Sequence, residues 1–333
     1  MNGAQESGFR LATFKSAGKP QVGMVEKERI IEINHAFSFL SDEEKKNLEP
    51  AMPIVSMEGL LENWEKVFPF LCKAANLLTR TPQKRAIWRN VGEVILLAPV
   101  TTPGKMINTG LNFHDHAREM DIDVPSSGFQ PNFFFKGDRN CIIGSGQKIE
   151  LSSNFVDWEA ELALVIGKKG KDIKPEDAPD YIAGYTCHND ITDRSLMIRK
   201  DGSLDFFRGK SRDTFGPLGP FLVPKEFFPG PDDLRIRCFV NGEVMQDFST
   251  AQMIWGPEKC IAYISSCVTL MPGDIIALGT GAGTGWAKGL PDGEKNLHRI
   301  LELMEQGGGR FLRPGDCVVV EIEGIGRLEN EVK

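Results

Sequence analysis

The 333-residue chain carries 39 Lys and Arg against 46 Asp and Glu, a net charge of -7, so it has no basic field to gather a phosphate backbone and nucleic acid is excluded as the expected partner. The start "MNGAQESGFRLATF" lacks an apolar core of signal-peptide length, and no apolar run approaches the roughly 18 residues of a membrane span, so a soluble cytoplasmic protein with no membrane partner is expected. Seven scattered cysteines (Cys72, Cys141, Cys187, Cys238, Cys260, Cys267, Cys317) without a C-x-x-C pair argue against a disulfide framework or a zinc ribbon and for buried thiols in a reducing compartment.

Along the chain, residues 1–100 read as a small α/β domain. "FRLATF", "VGMVEKERIIEIN" and "EVILLAPV" have the composition of short strands, while "MEGLLENWEKVFPFLCKAANLLTR" spaces its apolar residues at helical intervals. "APVTTPGK", with Pro99 and Pro103, ends that unit. From there to residue 333, β-like runs alternate with Gly/Pro turns: "PNFFFKG", "CIIGSGQKIEL", "DWEAELALVIG", "YIAGYTCHND", "LGPFLVP", "LRIRCFVNGEVMQD", "VTLMPGDIIALGTG" and "PGDCVVVEIEGIG". This density predicts a β-rich, barrel-like second domain over 101–333 rather than a doubly wound α/β sheet. "FVNGEVMQ" carries the clearest hairpin signal, an Asn241-Gly242 turn between alternating strands.

Four stretches hold groups capable of chemistry. In "FVDWEAELALVIGKKG", alternation places Glu159 and Glu161 on one face, ~6.6 Å apart along the backbone, with Trp158, Ala160, Leu162 and Leu164 on the other. A buried pair of carboxylates demands a cation; a strand with one solvated face explains the same pattern. Asp190, in "YTCHNDITDRS", would complete a three-carboxylate, all-oxygen site suited to Mg²⁺ or Mn²⁺, with His188 as a structural neighbour. In "GLNFHDHAREM" a helix starting near Asp115 puts His116 and Glu119 at i, i+3, a dyad in which the carboxylate orients an imidazole that takes a proton from water; taken in isolation, H-x-x-E reads as an ordinary solvated helix turn. "GTGAGTG", residues 279–285, misses dinucleotide spacing and lacks a P-loop lysine, leaving a turn that presents backbone N–H groups and the Thr280 hydroxyl to an anion or a plain flexible turn. Lys136 and Lys210 lie in "FFFKGD" and "FFRGKSRDTFGPLGP".

Together these segments resemble the fumarylacetoacetate hydrolase family, in particular its bacterial-type members that include acylpyruvate hydrolases. The resemblance runs from about Ala98 to the C-terminus through "LAPVTTPGKMINTGLNFHDHAREM", the E-x-E strand, "AGYTCHNDITDR", "RGKSRDTFGPLGP" and "PGDCVVVEIEGIGRLENEV". It implies an α+β, β-rich fold with a distorted β-sandwich or rolled-barrel catalytic domain and a small N-terminal α/β domain. It implies a homodimer with one divalent cation, Mg²⁺ or Mn²⁺, per subunit, held by Glu159, Glu161 and Asp190. His116 and Glu119 would activate water and Lys210 would stabilise an enolate. Asn112, Lys136, Arg194, Thr280 and Gly281 would bind the substrate.

The implied reaction is hydrolysis of a carbon-carbon bond in a 2,4-dioxo acid of the acylpyruvate type, giving a 2-oxo acid and a carboxylic acid. Decarboxylation, isomerisation, hydration or dehydration of a 2-oxo acid through the same metal enolate are the alternatives within the family, and a non-catalytic 2-oxo acid binding protein is the alternative from another class. Ser195 stands where the family often has Asp, and Gly281 follows Thr280 where Pro is frequent. The segment 286–312 lengthens the path to the last strands and is expected to reshape the pocket mouth.

Overall fold

The computed structural model describes residues 8–80, 88–125, 127–137, 139–228, 230–288 and 300–333. Among them, a mixed sheet runs in the order Arg89–Asn90, Arg29–Glu32, Lys19–Glu26, Arg10–Ser16, Gly216–Pro224, Ile182–Asn189, Ala160–Ile166, Ile275–Ala277, Met106–Gly110 and Asn132–Phe135. A second sheet joins Glu243–Ser249, Arg235–Val240, Cys317–Ile322 and Gly326–Glu331. The fold is α+β and sheet-rich. The hairpin between Arg235–Val240 and Glu243–Ser249 turns at Asn241 and Gly242, both at positive φ (54° and 81°), the left-handed pair that a two-residue hairpin loop of matching twist requires.

The helical run predicted over residues 57–80 divides in two. Met57–Glu62 is capped by Ser56, whose hydroxyl accepts from the Gly59 N–H at 3.1 Å, and the chain breaks at Asn63 before Trp64–Thr79 begins. Trp64, Val67, Leu71, Ala74, Ala75 and Leu78 form the buried stripe of the longer helix, at the spacing an amphipathic helix needs. That stripe packs onto the main sheet, and the same core contains Ala163, Val165, Ala183, Leu218, Leu222, Ile275 and Ala277. The N-terminal hundred residues therefore share a core with the strands of the larger part, and their own sheet joins them through Leu11 opposite Leu222. Strand "EVILLAPV" shrinks to Ile95–Leu96, and "CIIGSGQKIEL" to Ile142–Ile143.

The central strand shows how the site is placed. Pairing lapses at Trp158 and Glu159, between Val156–Asp157 and Ala160–Ile166, yet the two-residue alternation continues through the break. Trp158, Ala160, Leu162, Leu164 and Ile166 belong to the core under the second sheet. Ala163 and Val165 face the N-terminal helices. Glu159 and Glu161 continue the latter face beyond its apolar part, and they are buried, at 6% and 1% exposure. The solvated-face reading of this strand is thereby overturned.

Candidate metal centre and catalytic dyad

Adjacent strands deliver the carboxylates. Glu159 and Glu161 come from the break and the start of Ala160–Ile166, and Asp190 comes just after the paired strand Ile182–Asn189, where its N–H donates to the Glu159 carbonyl at 2.9 Å. One oxygen from each of Glu159, Glu161 and Asp190 lies within 4.8 Å of the other two, and all three residues are buried. Such a cluster cannot stay fully ionised and unpaired in a low-dielectric setting. Lys210 Nζ bonds both Glu159 Oε2 at 2.6 Å and Asp190 Oδ2 at 2.7 Å. Lys136 Nζ bonds Asp190 Oδ1.

Burial would push all three carboxyls up, and their neighbours sort them. Lys210 and then Arg194 bring Glu159 below its ordinary range. Lys136 and Lys210 hold Asp190 far down. Glu161 goes well up, through burial first and then through the charges of Asp190 and Glu159. It keeps one partner, the Gly279 N–H at 3.0 Å to Oε2, while Oε1 is buried with no hydrogen bond. An orphaned carboxylate oxygen within reach of two other carboxylates is the donor set of a hard divalent cation, so these residues fit the Mg²⁺ or Mn²⁺ that the sequence implied. His188 is not part of the set: Nδ1 lies 2.9 Å from the Pro217 carbonyl and Nε2 3.1 Å from Asn108 Nδ2, and burial pushes its pKa down to about 4.

Helix His114–Glu119 carries the second constellation. His116 Nδ1 stands 2.9 Å from Glu119 Oε2. Glu119 is itself tied to the glycine loop, Oε1 accepting from the Gly283 N–H at 2.6 Å and Oε2 from the Thr284 hydroxyl at 3.1 Å. Asp115 accepts from the Ala282 N–H at 3.2 Å. With the Gly279 bond to Glu161, three of the loop's N–H groups, those of Gly279, Ala282 and Gly283, serve carboxylates of the chain itself. The Thr280 hydroxyl likewise donates to the Ala160 carbonyl at 2.8 Å and accepts from Gln246 Nε2 at 2.8 Å.

A cavity of about 190 Å³ brings His116, Glu159, Arg194, Lys210 and Thr280 together. The other candidates sit around it. Asn112 is spent on the backbone: Nδ2 donates to the carbonyls of Trp255 and Leu278, and Oδ1 accepts from the Trp255 N–H, which leaves its amide little capacity for a ligand. Gly281 lies against the Phe248 ring, where a Cβ would come within 2.3 Å of Cγ; the proline common at this place has no room while that ring stands there. Lys136 does not line the cavity and is paired with Asp190. Ser195 Oγ donates to Asp193 Oδ1 at 2.7 Å.

Arg194 has a different setting from the one its motif implied. Its Nε donates to Asp157 Oδ1 at 2.8 Å and its Nη2 lies 2.7 Å from Glu159 Oε1, an arrangement fully buried beneath Trp286. Asp157 also accepts from the Trp286 N–H at 2.8 Å; burial pushes its pKa up to about 6 although Arg194 draws it down. Arg194 thus pairs with Asp157 and Glu159 while it lines the cavity. Sequence reasoning missed Asp157 and Gln246. Asp157, Glu159 and Glu161 form a run of acids at every second residue, so the alternation that found the last two also marked the first; Gln246 gave no signal, since its Oε1 meets the Ala160 N–H from a distant strand.

The fold and the site define a sheet-rich enzyme with a buried carboxylate cluster beside a His-Glu dyad. The fumarylacetoacetate (FAA) hydrolase C-terminal family matches residues 105–333, and the chain belongs to that family. "Oxaloacetate tautomerase FAHD2A, mitochondrial" of Bos taurus is 40% identical over 286 residues, 85% of this chain and 81% of the relative. A fumarylacetoacetate hydrolase from Exiguobacterium antarcticum superposes with a TM-score of 0.72 at 29% identity, over 98% of this chain and 99% of that one. A 2-hydroxyhepta-2,4-diene-1,7-dioate isomerase from Mycobacterium marinum superposes at 0.65 with 27% identity, over 97% and 98%. One fold thus carries names of a tautomerase, a hydrolase and an isomerase. No helix among the described residues is long and apolar enough to cross a membrane.

Proposed function

We propose that the chain enolises a small 2-oxo acid, moving a proton between C3 and the 2-oxo oxygen, with Mg²⁺ or Mn²⁺ held by Glu159, Glu161 and Asp190. The observation that carries this reading is that one cavity is lined by Glu159 of the buried cluster, by His116 of the dyad and by Lys210, which bonds Glu159 and Asp190. The cattle relative's name supports the reaction type. When bound, the cation supplies Lewis acidity toward the 2-oxo group. The residues do the rest. Glu119, fixed by Gly283 and Thr284, accepts the Nδ1–H of His116 and so selects the tautomer with a bare Nε2. That nitrogen takes the C3 proton; the electron pair moves into the C2–C3 bond, and the proton is returned to oxygen. Lys210, anchored by Glu159 and Asp190, places its positive charge where the enolate develops.

Hydrolytic cleavage of a 2,4-dioxo acid is the second reading, and the dyad favours it, because the same Nε2 can take its proton from water. Deuterium exchange at C3 of pyruvate, followed by ¹H NMR beside cleavage of acetylpyruvate, separates the two. Exchange that requires Mg²⁺ or Mn²⁺ and is lost in His116→Ala supports enolisation; cleavage without exchange would replace it with hydrolysis. We propose a homodimer as well, using the exposed Phe135 and Phe207, to be checked by sedimentation. A reducing interior compartment is proposed for the chain, since none of its seven cysteines forms a disulfide; the cattle relative is mitochondrial by name.

A further inference from the structure

Strand Ala160–Ile166 pairs with Ile275–Ala277 only as far as Ala163, opposite Ala277. One further bond, from the Leu278 N–H to the Leu162 carbonyl at 3.0 Å, ends that ladder, and the chain leaves as the glycine loop. The buried N–H and carbonyl of Ala160, between Glu159 and Glu161, still need partners on this edge, and side chains supply them. Gln246 Oε1 accepts from the Ala160 N–H at 2.9 Å, and the Thr280 hydroxyl donates to the Ala160 carbonyl at 2.8 Å. Gln246 Nε2 closes the ring, donating to Thr280 Oγ1 at 2.8 Å and to the Gly281 carbonyl at 2.9 Å. One end of the amide faces an N–H and the other a carbonyl, so its orientation is fixed.

A bulge aims this glutamine. Regular alternation in Glu243–Ser249 would bury Met245 or Gln246 but not both, and both are buried. Cys238 stands opposite Gln246 and Phe239 opposite Val244, so Met245 is the extra residue of a bulge, which re-aims the side chains that follow it. The loop lies directly on this stretch. Gly283, at φ 101°, would set a Cβ 2.2 Å from the Met245 carbonyl oxygen and 3.1 Å from Gln246 Cα, so glycine alone fits the approach.

The same loop joins the two halves of the site. The Gly279 N–H holds Glu161, the Ala282 N–H holds Asp115, and Gly283 and Thr284 hold Glu119. Gln246 grips the loop between these points, at Thr280 and Gly281, and grips the E-x-E strand at Ala160. None of these bonds involves the segment 286–312, of which residues 289–299 lie outside the described residues. We infer that Gln246 is a positioning residue: it sets the loop against the E-x-E strand, and so fixes Glu119 and the His116 tautomer in place beside the carboxylate cluster. Gln246 does not line the cavity and acts through the loop. The kinetic consequence rests on the enolisation proposed above; the placement of Glu119 does not.

Gln246→Met keeps the length of the side chain and removes every bond the amide makes. In the full chain with Mg²⁺, C3 exchange on pyruvate should fall about 10–10²-fold in kcat, the cost of a misplaced base, with KM little changed. ¹⁵N NMR of His116 should show the Nδ1–H tautomer giving way to a mixture as Glu119 loosens. Val240→Ala, at a buried position on the adjacent strand Arg235–Val240, is the control for lost stability: it should melt lower and leave kcat and the tautomer unchanged. Gln246→Met with the kcat and tautomer of the unmodified chain overturns the inference, and so does a Val240→Ala variant that moves both as far. Should Gln246→Met not fold, Gln246→Glu takes its place: it keeps the acceptor for Ala160 and loses at least one donor bond to the loop. It should show a smaller loss of the same kind, and no change there overturns the inference equally. If the unmodified chain leaves pyruvate unexchanged, the enolisation reading fails by itself, and the His116 tautomer in the variant still decides the role of Gln246.

Discussion

Glu161→Gln should make the metal-free protein more stable while removing its response to a divalent cation. The glutamine keeps the shape and, through its carbonyl oxygen, the bond from the Gly279 N–H. What it removes is a buried carboxylate with an unpartnered Oε1 beside Asp190 and Glu159. Burial, followed by those two charges, raises the Glu161 pKa above its ordinary value, so the folded protein retains a proton that the unfolded chain has released. Wild-type stability in EDTA accordingly falls as pH rises out of the ordinary carboxylate range. The glutamine variant has no such proton to lose, and the gap between the two opens with pH.

Its size at pH 8 is set by the cost of leaving a buried polar group unsatisfied, about 1–3 kcal/mol. An unfolding entropy of roughly 2.1 cal/mol/K per residue gives ~0.7 kcal/mol/K for a chain of this length, so the variant should melt ~1–4 °C higher in EDTA. Mg²⁺ at a hundredfold excess over its Kd should add about 2.7 kcal/mol, or ~4 °C, to the wild type and nothing to the variant. Differential scanning calorimetry of both proteins at pH 5 and pH 8, with EDTA and with Mg²⁺, reads these differences. A variant that melts lower than wild type in EDTA at pH 8, or still rises with Mg²⁺, would refute the assignment of Glu161 as an uncompensated ligand.

His116→Ala should leave the calorimetric response to Mg²⁺ intact and lower C3 exchange by about 10²–10⁴-fold, the usual contribution of a positioned general base; unchanged exchange would remove His116 from the reaction. Arg194→Leu strips the shared cation from buried Asp157 and Glu159 and should cost about 3–5 kcal/mol, read as a drop in Tm. Adding Asp157→Asn to it should recover part of that loss, and no recovery would mean that Arg194 acts mainly through packing. Gly281→Ala forces a methyl into the Phe248 ring, which packs edge-on against Phe113 at 5.2 Å just before helix His114–Glu119. It should destabilise by about 1–3 kcal/mol and lower exchange through His116, with Phe248→Leu partly restoring both; a neutral Gly281→Ala would show that the loop moves freely.

Much of the site is local in origin. Alternation along a strand sets Glu159 and Glu161 on one face, and the i, i+3 spacing sets His116 against Glu119, because both result from the pitch of a single element. The Asn241-Gly242 hairpin is local in the same way: both residues adopt the positive φ that the turn demands. Capping is less legible. The sequence puts Asp115 near the helix start, and it does sit in the first turn, but the helix opens at His114 with Phe113 as its cap residue and Asp115 reaches across to Ala282.

Whether the acidic face is wet or buried could not be read from the strand, because it depends on what arrives from elsewhere. Helices of the first hundred residues cover Ala163 and Val165, and Lys136 and Lys210 cross 54 and 20 residues of sequence to pair with Asp190. The glycine loop shows the same division: its composition announced N–H groups ready for an anion, but only tertiary packing decided that Glu161, Asp115 and Glu119 would be the anions. Arg194 and Asn112 stood in sequence as a charge and an amide, and the fold pairs the first with Asp157 and Glu159 and the second with the backbone of Trp255 and Leu278. By itself the sequence determined which groups share a face, since strand and helix periods are properties of a few consecutive residues. Only the tertiary structure decided which of those groups remain free to meet a ligand, since a buried charge or amide takes the nearest complementary partner, and that partner is brought close by residues far away in the chain.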